Sequence, residues 1–312
     1  SGGDNAIMAD PNIQNKRLQT ALHLAKKKEV VLAILEAGGD AFEIMDEDGR
    51  TAYEEQTSEI RKYILDTTLF CGRFEVPAFR KHNPSKPEHA TATSVVLRAT
   101  DKFPKKSENG SKTPRDVVLK LMKFEGQFRR EIEQRIGLDP TLVVEVICKS
   151  DDFDEWKGGL EQVHSPLQTW TDYQFGIVMP AAERNLMVVL LQERIDLALA
   201  ERLFFSLAKG LEHLHDNRRI HGDFKPGNVV RMVNGEWMLI DMDGAVSFGA
   251  PVGAKALSTA FVGPETTFEG DDQEIGFRVP HEDNNMEALR RRSSISEAPA
   301  PPELLEAHPT FD

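Results

Sequence analysis

Apolar positions repeat at helical spacing in the first 65 residues of the chain. Four of them fall on one face of a predicted helix: Val30, Val31, Ile34 and Leu35. The Gly-Gly pair that follows them supplies a left-handed helix stop. A second amphipathic run at residues 60–65 takes the same place in a second unit. The pattern predicts two short helical units over residues 16–65, after a small and polar lead at residues 1–15 that we expect to be disordered.

Apolar runs of strand length follow in the middle of the chain. The predicted strands are residues 93–99, 117–122, 143–148 and 175–179. A charged helix is predicted over residues 125–136, and the strongest helix over residues 196–216. This long helix carries a row of leucines on one face: Leu199, Leu203, Leu207, Leu211 and Leu214. Strands that precede helices along the chain predict an α+β fold.

Composition narrows the class of protein without pointing to a chemistry. At about 150 residues per domain, 312 residues predict about two domains. Lys and Arg number 38 against 51 Asp and Glu, and the net charge of −13 argues against nucleic acid as a partner. Two cysteines cannot build a disulfide framework, and no apolar run approaches the roughly 18 residues of a membrane span. We therefore expect a soluble, cytoplasmic protein in a reducing compartment, without membrane insertion.

A repeated turn in the N-terminal part points to a binding module. Residues 20–25 read Thr-Ala-Leu-His-Leu-Ala, and Thr51 repeats the turn 31 residues after Thr20. The segment resembles the T-P-L-H-x-A motif of ankyrin repeats, whose period is about 33 residues. The resemblance implies that the module binds a protein partner, here of unknown identity, and that His23 is structural rather than catalytic. Only one and a half repeats are covered, whereas such arrays need about three, so either further repeats precede Ser1 or the partial array packs against the neighbouring domain.

The strongest chemical signal lies between the long helix and the next apolar strand. Residues 221–228 read His-Gly-Asp-Phe-Lys-Pro-Gly-Asn, and the strand that follows ends at Asp241. The segment resembles the H-R-D-L-x-x-x-N catalytic loop of protein kinases, and residues 241–243 resemble the D-F-G element that follows it. The resemblance implies phosphoryl transfer, which needs an oriented hydroxyl, a cation at the phosphate and oxygen ligands for Mg²⁺, and a carboxylate, an ammonium group and an amide at these offsets suit those needs.

The resemblance implies a role for each polar residue of this loop. Asp223 would face the acceptor hydroxyl, and Lys225 would lie beside the transferred phosphate, a lysine position that favours Ser/Thr over Tyr substrates. Asn228 and Asp241 would hold Mg²⁺. The implied fold is a bilobal protein kinase domain over residues 66–312, with a β-rich N-lobe and an incomplete helical C-lobe, and its implied substrates are ATP and a protein.

Other kinase parts then follow in chain order. Residues 117–120 look like the V-A-I-K strand, so Lys120 would hold the ATP phosphates and Glu131 on the next helix would be its ion-pair partner. Residues 175–182 look like the fifth strand and the hinge. On the adenine side the resemblance implies contacts from Val118, from Met179 as gatekeeper, and from the N–H of Ala182.

Three positions depart from the kinase pattern. No glycine stands in residues 88–95, where the phosphate-binding loop is expected, so ATP binding should be weakened. Gly222 replaces the arginine of H-R-D, which implies that a phosphate on the activation loop does not switch the protein. The D-F-G element reads Asp-Met-Asp, so the metal ligand is either Asp241 or Asp243, and the apolar strand directly before it favours Asp241.

Two other functions stay open at this level. A pseudokinase scaffold would keep the fold and act by binding, and a small-molecule phosphotransferase of the aminoglycoside or choline type would share the catalytic residues. Gly-Pro-Glu at residues 263–265, the chain end at residues 309–312 and the ankyrin-like start favour a protein substrate. We expect a polar insertion at residues 269–308 and a domain truncated at its C-terminal end. Truncation would leave three leucines of the long helix partly unburied: Leu199, Leu203 and Leu207.

Overall fold

The computed structural model describes residues 10–80, 84–104, 114–163, 170–248, 250, 267–269 and 276–278, and these form a mixed α and β structure. The interpretations of residues 1–9, 258–265 and 309–312, and of most of residues 269–308, lie outside these ranges. The elements of the structure agree with the predicted α+β class. Within the described ranges, no helix is both long and apolar enough to cross a membrane.

Four helices form the N-terminal part of the structure. They are α1 (Ala21–Leu24), α2 (Lys28–Glu36), α3 (Ala52–Glu55) and α4 (Ser58–Thr68). The hydroxyls of Thr51 and Thr57 cap α3 and α4 by accepting hydrogen bonds from backbone N–H groups of the first turn. Gly38, at φ +92°, allows the turn after α2. The four helices share one apolar core: Leu22, Ala25, Val31, Ala41, Ala52, Ile60 and Ile64.

Polar side chains of the lead contact the backbone of this helical unit. The Asn12 side chain bridges the Gly38 carbonyl (3.0 Å) and the Asp40 N–H (2.8 Å), and the Gln14 amide donates to two further carbonyls. The prediction of a disordered lead is therefore wrong for residues 10–15, because these hydrogen bonds tie them to the helices.

His23 is buried and braces two turns of the helical unit. Its Nδ1 lies 2.9 Å from the Thr20 hydroxyl, and its Nε2 lies 3.2 Å from the Arg50 carbonyl. The buried Gln56 amide donates to the carbonyls of Leu22 (2.8 Å) and His23 (3.1 Å), which joins the two helix pairs a second time. These contacts agree with the structural role that we expected for His23.

A six-stranded antiparallel sheet follows the helical unit. Its strands are β1 (Phe74–Glu75), β2 (His89–Ala90), β3 (Ser94–Asp101), β4 (Arg115–Met122), β5 (Cys148–Lys149) and β6 (Phe175–Pro180). The strand order is β1-β3-β4-β6-β5, and β2 pairs with β3 beside this path. Phe74 on one edge and Cys148 on the other share one apolar core, so the sheet is strongly curled. Helices α5 (Glu125–Glu133) and α6 (Trp156–Gln162) pack against the strands.

The run at residues 143–148 is not the strand that its apolar residues predict. Within it only Cys148 belongs to a strand, and Val143 makes an isolated bridge to Leu239. Val143 and Val144 pack in two different apolar clusters. The prediction was wrong because this segment passes along three cores, the third of which contains Cys148, so its apolar residues pack without lying on one sheet face.

The remaining described elements form a mainly helical region with short strand pairs. They are β7 (Arg184–Asn185), α7 (Leu186–Gln192), α8 (Leu197–Asp216), β8 (Arg219–Ile220), β9 (Val229–Arg231), β10 (Trp237–Leu239), β11 (Val246–Ser247), β12 (Thr267–Glu269) and β13 (Gly276–Arg278). Asp196 caps α8 by accepting from the Leu199 N–H at 2.7 Å. Strand β9 lies between β7 and β10, β8 pairs with β11, and β12 pairs with β13.

Helix α8 has one buried face and one exposed face. Leu203 and Leu214 are buried in a core that also contains residues of α7, β9 and β10. Leu199 and Leu207 are half-buried, as expected, but the expected exposure of Leu203 is wrong because this core encloses it. The exposed large apolar residues of α8 are Leu197, Phe204 and Phe205.

The helical unit is held against the sheet just beyond the end of β3. The Phe103 ring lies 6.1 Å from the Phe42 ring and 5.6 Å from the Tyr53 ring, measured between centroids. Beside them, Lys102 Nζ lies 2.9 Å from Glu43 Oε1. Of the two possibilities considered for the incomplete array, packing against the neighbouring part of the chain is therefore present.

A cavity of about 380 Å³ lies beside this contact, and both cysteines line it together with Arg73 and Phe103. Burial raises the pKa of the Cys71 thiol to about 12, and Cys148 is buried. The two cysteines are not joined in a disulfide. Arg73 donates two hydrogen bonds, of 2.8 and 2.7 Å, to the buried carboxylate of Asp101. Arg73 therefore forms a polar part of the cavity wall that Asp101 holds in place. The thiol of Cys71 stays protonated at neutral pH, and that of Cys148 is buried.

Candidate active site

Strand β4 and helix α5 place a buried ion pair on one side of the site. The Nζ atom of Lys120 lies 2.9 Å from Oε2 of Glu131, and the side chains are only 8% and 0% exposed. Lys120 lies in the centre of the sheet, paired with residues of β3 and β6. Glu131 follows Phe128 by one turn on the buried face of α5. The two residues that the sequence analysis paired are therefore in contact.

Glu131 has a second cationic partner, which the sequence analysis missed. Arg135 Nη1 lies 2.6 Å from Glu131 Oε1, and Arg135 Nε donates to the Val144 carbonyl at 3.0 Å. The spacing of four residues between Glu131 and Arg135 on a predicted helix is the signal that identifies such a pair. Both carboxylate oxygens of Glu131 are thus bound to cations.

Asp241, which ends the strand predicted before it, also contacts Lys120. Asp241 has a left-handed backbone, at φ +66°, and its Oδ1 lies 2.5 Å from Lys120 Nζ. The carboxylate of Asp243 lies farther away, at 4.0 Å from the same nitrogen. Lys120, Glu131, Asp241 and Asp243 therefore form one cluster, to which β4, α5 and the segment after β10 each contribute.

Electrostatic interactions keep the central ion pair charged. Burial by itself lowers the pKa of Lys120, but the neighbouring carboxylates, Glu131 first among them, outweigh it and raise that pKa above its usual value. Burial likewise raises the pKa of Glu131, but Arg135 and Lys120 outweigh it and hold that pKa below its usual value. Lys120 and Glu131 are therefore both charged at neutral pH.

The loop between β8 and β9 forms a second polar cluster. Asp223 is buried, and its Oδ2 lies 2.8 Å from Lys225 Nζ. The Asn228 amide donates to the Asp223 carbonyl at 2.8 Å and to its Oδ2 at 3.1 Å. A 3₁₀ turn at Pro226–Asn228 folds the chain back so that this contact forms. The three polar residues singled out in the loop are therefore held together.

Two hydrogen bonds join this loop to the chain segment that carries Asp241. The Ile240 N–H donates to the Asn228 carbonyl at 3.0 Å, and His221 Nε2 lies 3.0 Å from the Ile240 carbonyl. The antiparallel pairing of β9 with β10 sets this register. The two clusters thus lie on adjoining segments, with Ile240 between them.

Gly222 lies where the loop touches the segment after Asp241. Its φ is +75°, and a Cβ atom at this position would lie 2.1 Å from the Gly244 carbonyl oxygen. A residue with a side chain would meet both the backbone strain and this clash. The close packing of the two segments therefore depends on a glycine at position 222.

The two carboxylates after β10 differ in their surroundings. The side chain of Asp241 is 23% exposed, whereas that of Asp243 is 2% exposed and accepts a hydrogen bond from the Gln127 amide at 2.6 Å. Met242 between them is fully buried in the core of the helical region. Carboxylate oxygens of Glu131, Asp241 and Asp243 lie within 4.8 Å of one another, and Mg²⁺ prefers oxygen ligands. Asp241 is the most exposed of these three carboxylates.

The three apolar residues singled out for the adenine side lie close together. Val118 on β4 pairs with Met179 on β6, and Ala182 follows that strand. All three pack in one apolar cluster with Phe128 of α5 and Met238 of β10. This cluster adjoins the ion pair, because Phe128 and Glu131 share the buried face of α5.

Residues 88–95, where a glycine-rich loop was sought, contain a tight β-hairpin. Ala90 of β2 pairs with Val95 of β3, and the Thr91 N–H donates to the Ser94 carbonyl at 2.8 Å. The N–H groups of Thr93 and Ser94 both donate to the Thr91 hydroxyl. Three backbone donors of the turn are therefore used inside it.

Two cavities of the described residues lie away from these clusters. They measure about 380 and 350 Å³, and they lie beside Cys71 and beside Met232. Neither is lined by Lys120, Asp223 or Asp241. The candidate site is therefore defined by its converging polar side chains.

None of the protein-family models compared with the chain matches it. A functional proposal for this protein therefore depends on the residues of the two clusters and on the elements that bring them together.

Proposed function

We propose that the chain is a protein kinase, which transfers the γ-phosphate of Mg-ATP to Ser or Thr of a protein substrate within the bilobal fold that this activity implies. The observation that carries the proposal is the contact of Lys120 with both Glu131 and Asp241. These partners are 11 and 121 positions away in sequence, so local structure alone does not explain their convergence. The loop of Asp223 adjoins them through the hydrogen bonds at Ile240.

The ion pair suits the binding of the ATP phosphates. Lys120 stays protonated between carboxylates and offers phosphate oxygens a cation of restricted position. Val118, Met179 and Ala182 belong to the adjoining apolar cluster, which suits a flat adenine ring. The substrate nucleotide would therefore lie with its phosphates towards Lys120 and its base towards β6.

Asn228 and Asp241 would hold Mg²⁺, which supplies neutralisation of the phosphate charge when bound. The sequence left Asp241 and Asp243 as alternative metal ligands. Asp241 is the better of the two, because Asp243 is enclosed and hydrogen-bonded to Gln127. Glu131 is unsuited to that role because Lys120 and Arg135 bind both of its oxygens.

Asp223 would orient the acceptor hydroxyl. Its carboxylate is itself positioned by the Asn228 amide and the Lys225 ammonium group. In the transfer, the acceptor oxygen bonds to the γ-phosphorus, the bond from that phosphorus to the bridging oxygen breaks, ADP leaves, and the hydroxyl proton passes to Asp223. Lys225 would stay beside the phosphate as its charge is redistributed.

Transfer of labelled phosphate from Mg-ATP to a generic protein substrate tests the proposal. The full-length protein is compared with Asp223→Ala and with Asp216→Ala, a control in which an exposed aspartate at the end of α8 is replaced. We expect Asp223→Ala to lower kcat by about 10²–10⁴-fold, the usual contribution of a positioned acid or base, and Asp216→Ala to retain full activity. Absence of transfer by the folded wild-type protein contradicts the proposal.

A binding function without transfer is the second candidate, and the turn between β2 and β3 favours it. The N–H groups of Thr91, Thr93 and Ser94 are used inside the turn, so they do not present themselves to phosphate oxygens as a glycine-rich loop does. In this case the N-terminal helical unit would bind a protein partner and the rest would serve as a scaffold.

Thermal unfolding with and without Mg-ATP distinguishes the two candidates. Binding to the folded state raises Tm, so a rise in wild type that is reduced in Lys120→Ala supports nucleotide binding. Unchanged Tm values at saturating Mg-ATP support the scaffold. Transfer to an aminoglycoside or to choline, in place of protein, would establish the small-molecule alternative.

A further inference from the structure

The segment after β10 contacts α5 at a second place, besides Lys120. The Gln127 amide donates to Asp243 Oδ2 at 2.6 Å, and Arg130 Nε donates to the Asp243 carbonyl at 3.2 Å. Asp243 is 3% exposed, so water has little access to the residue that accepts these hydrogen bonds, whereas Arg130 is exposed. Gln127 and Arg130 lie within about one turn of Glu131, so the same part of α5 that meets Asp243 also carries the ion pair.

Helix α5 has few other contacts to hold its first turns. Its N-cap residue, Phe124, makes no capping hydrogen bond through its side chain and is 60% exposed. Arg129 and Glu125 form an exposed pair on the outer face, and such pairs stabilise little. Of the residues in the first turns of α5, only Phe128 is buried in an apolar core. The contact with Asp243 therefore contributes much of what determines where this half of the helix lies.

The other side of the contact is firmly anchored. Met242 is fully buried, and residues Met242–Gly244 form a 3₁₀ turn. The Gly244 carbonyl packs against Gly222 so closely that no Cβ atom fits between them. Asp243 is thus part of a fixed segment, and α5 is the element whose position it restrains.

We propose that Gln127, Arg130 and Asp243 form a latch that keeps α5 where Glu131 holds Lys120. These three are positioning residues, since they act through the ion pair. The latch uses only residues of this chain, so the pair assembles without any covalent modification. Its effect on phosphate transfer rests on the proposed function, whereas its effect on α5 does not.

The latch is tested in the full-length protein with Gln127→Ala and with Asp243→Asn, which keeps an oxygen acceptor for the Gln127 amide. Arg129→Ala, on the exposed face of the same helix, is the matched control. Two quantities are measured: hydrogen exchange of the backbone amides of residues 125–133, and the rate at which acetic acid N-hydroxysuccinimide ester acetylates Lys120.

We expect both rates to rise about fivefold in Gln127→Ala, the change that corresponds to one lost hydrogen bond, with little change in Tm. In Arg129→Ala both rates should stay near those of wild type. In Asp243→Asn the hydrogen exchange of residues 125–133 should stay near that of wild type, whereas acetylation of Lys120 is not compared because a neighbouring charge is lost. Unchanged rates in Gln127→Ala would overturn the latch, whether or not the protein transfers phosphate. A rise in exchange over the whole chain, together with a lower Tm, would also overturn it because it would show general destabilisation.

Phosphate transfer separates the latch from the proposed function. If wild type transfers phosphate, kcat/KM for ATP should fall about fivefold in Gln127→Ala for the same reason, and stay unchanged in Arg129→Ala. Faster exchange of α5 without a loss of transfer would overturn the positioning role and leave the kinase proposal intact. A selective rise in exchange in a protein that transfers no phosphate would support the latch and contradict the kinase proposal.

Discussion

At the scale of single residues, Gly222 leaves no room for a side chain. Gly222→Ala should destabilise the protein by about 2 kcal/mol or more, because a positive φ costs about 1–3 kcal/mol in a residue with a Cβ atom and the contact with Gly244 adds to it. Gly235→Ala is the control, since Gly235 also has a positive φ, +87°, but a Cβ atom there would meet no side chain or backbone of another segment within 4 Å. It should lose about 1 kcal/mol. Urea unfolding measures both, and equal losses would show that the contact with Gly244 relaxes without cost.

Glu131 gives stability a dependence on pH. Arg135 and Lys120 hold its pKa in the folded state below the value of about 4.3 expected for the unfolded chain. The resulting stabilisation is present above that value and is lost as the pH falls through the folded-state pKa. The free energy of unfolding should therefore be higher in wild type than in Glu131→Gln. This difference, the gap, should be largest at neutral pH and should narrow as the pH falls. Urea unfolding from pH 7 downwards measures the gap, and a gap that widens in acid would contradict the assignment.

Residues at fixed offsets within one segment were the predictable part of the site. Asp223, Lys225 and Asn228 lie in one short loop, so their spacing already implied that they meet. The sequence favoured Asp241 over Asp243 only through the apolar strand before it. The burial of Asp243 by α5 was not predictable, because that contact comes from a distant segment. The partner of Gln127 was missed for the same reason.

At the scale of elements, the two faces of α8 should contribute very differently to the stability of the protein. Leu214→Ala should cost about 3 kcal/mol, as is usual for a buried leucine, because this residue is fully enclosed. Phe204→Ala should change stability by less than about 0.5 kcal/mol, because Phe204 is 70% exposed. Chemical denaturation compares the two, and a similar loss in both would show that the intact protein covers Phe204.

The elements with a regular period were predicted close to their observed bounds. Helix α8 buries one face. Strands β4 and β6 are buried on both faces, and alternate side chains along each strand pack in two different apolar clusters, as the period of a strand requires. Residues 143–148 are as apolar as a strand but divide their side chains among three cores without strand alternation. No local pattern distinguishes this case from a buried strand, because burial there is set by elements far away in the chain.

At the scale of the whole molecule, the contact of Phe103 with Phe42 and Tyr53 couples the helical unit to the sheet. Phe103→Ala should weaken this coupling by about 1 kcal/mol, the usual size of aromatic pair energies, and hydrogen exchange should rise in α1–α4 but not in β4 or β6. Phe124→Ala, an exposed phenylalanine away from this contact, is the control. Equal exchange in the two variants would show that the helical unit holds its position without Phe103.

The two cysteines beside that contact make the native chain suitable for site-specific labelling. Maleimides react with the thiolate, of which a thiol with a pKa of about 12 has very little at neutral pH, and Cys148 is enclosed. New cysteines at exposed positions, such as Val30→Cys on α2 and Phe205→Cys on α8, should therefore take up dyes selectively without removal of the native pair. Energy transfer between such dyes would follow the distance from the N-terminal helices to α8 in single molecules as substrates or partners are added.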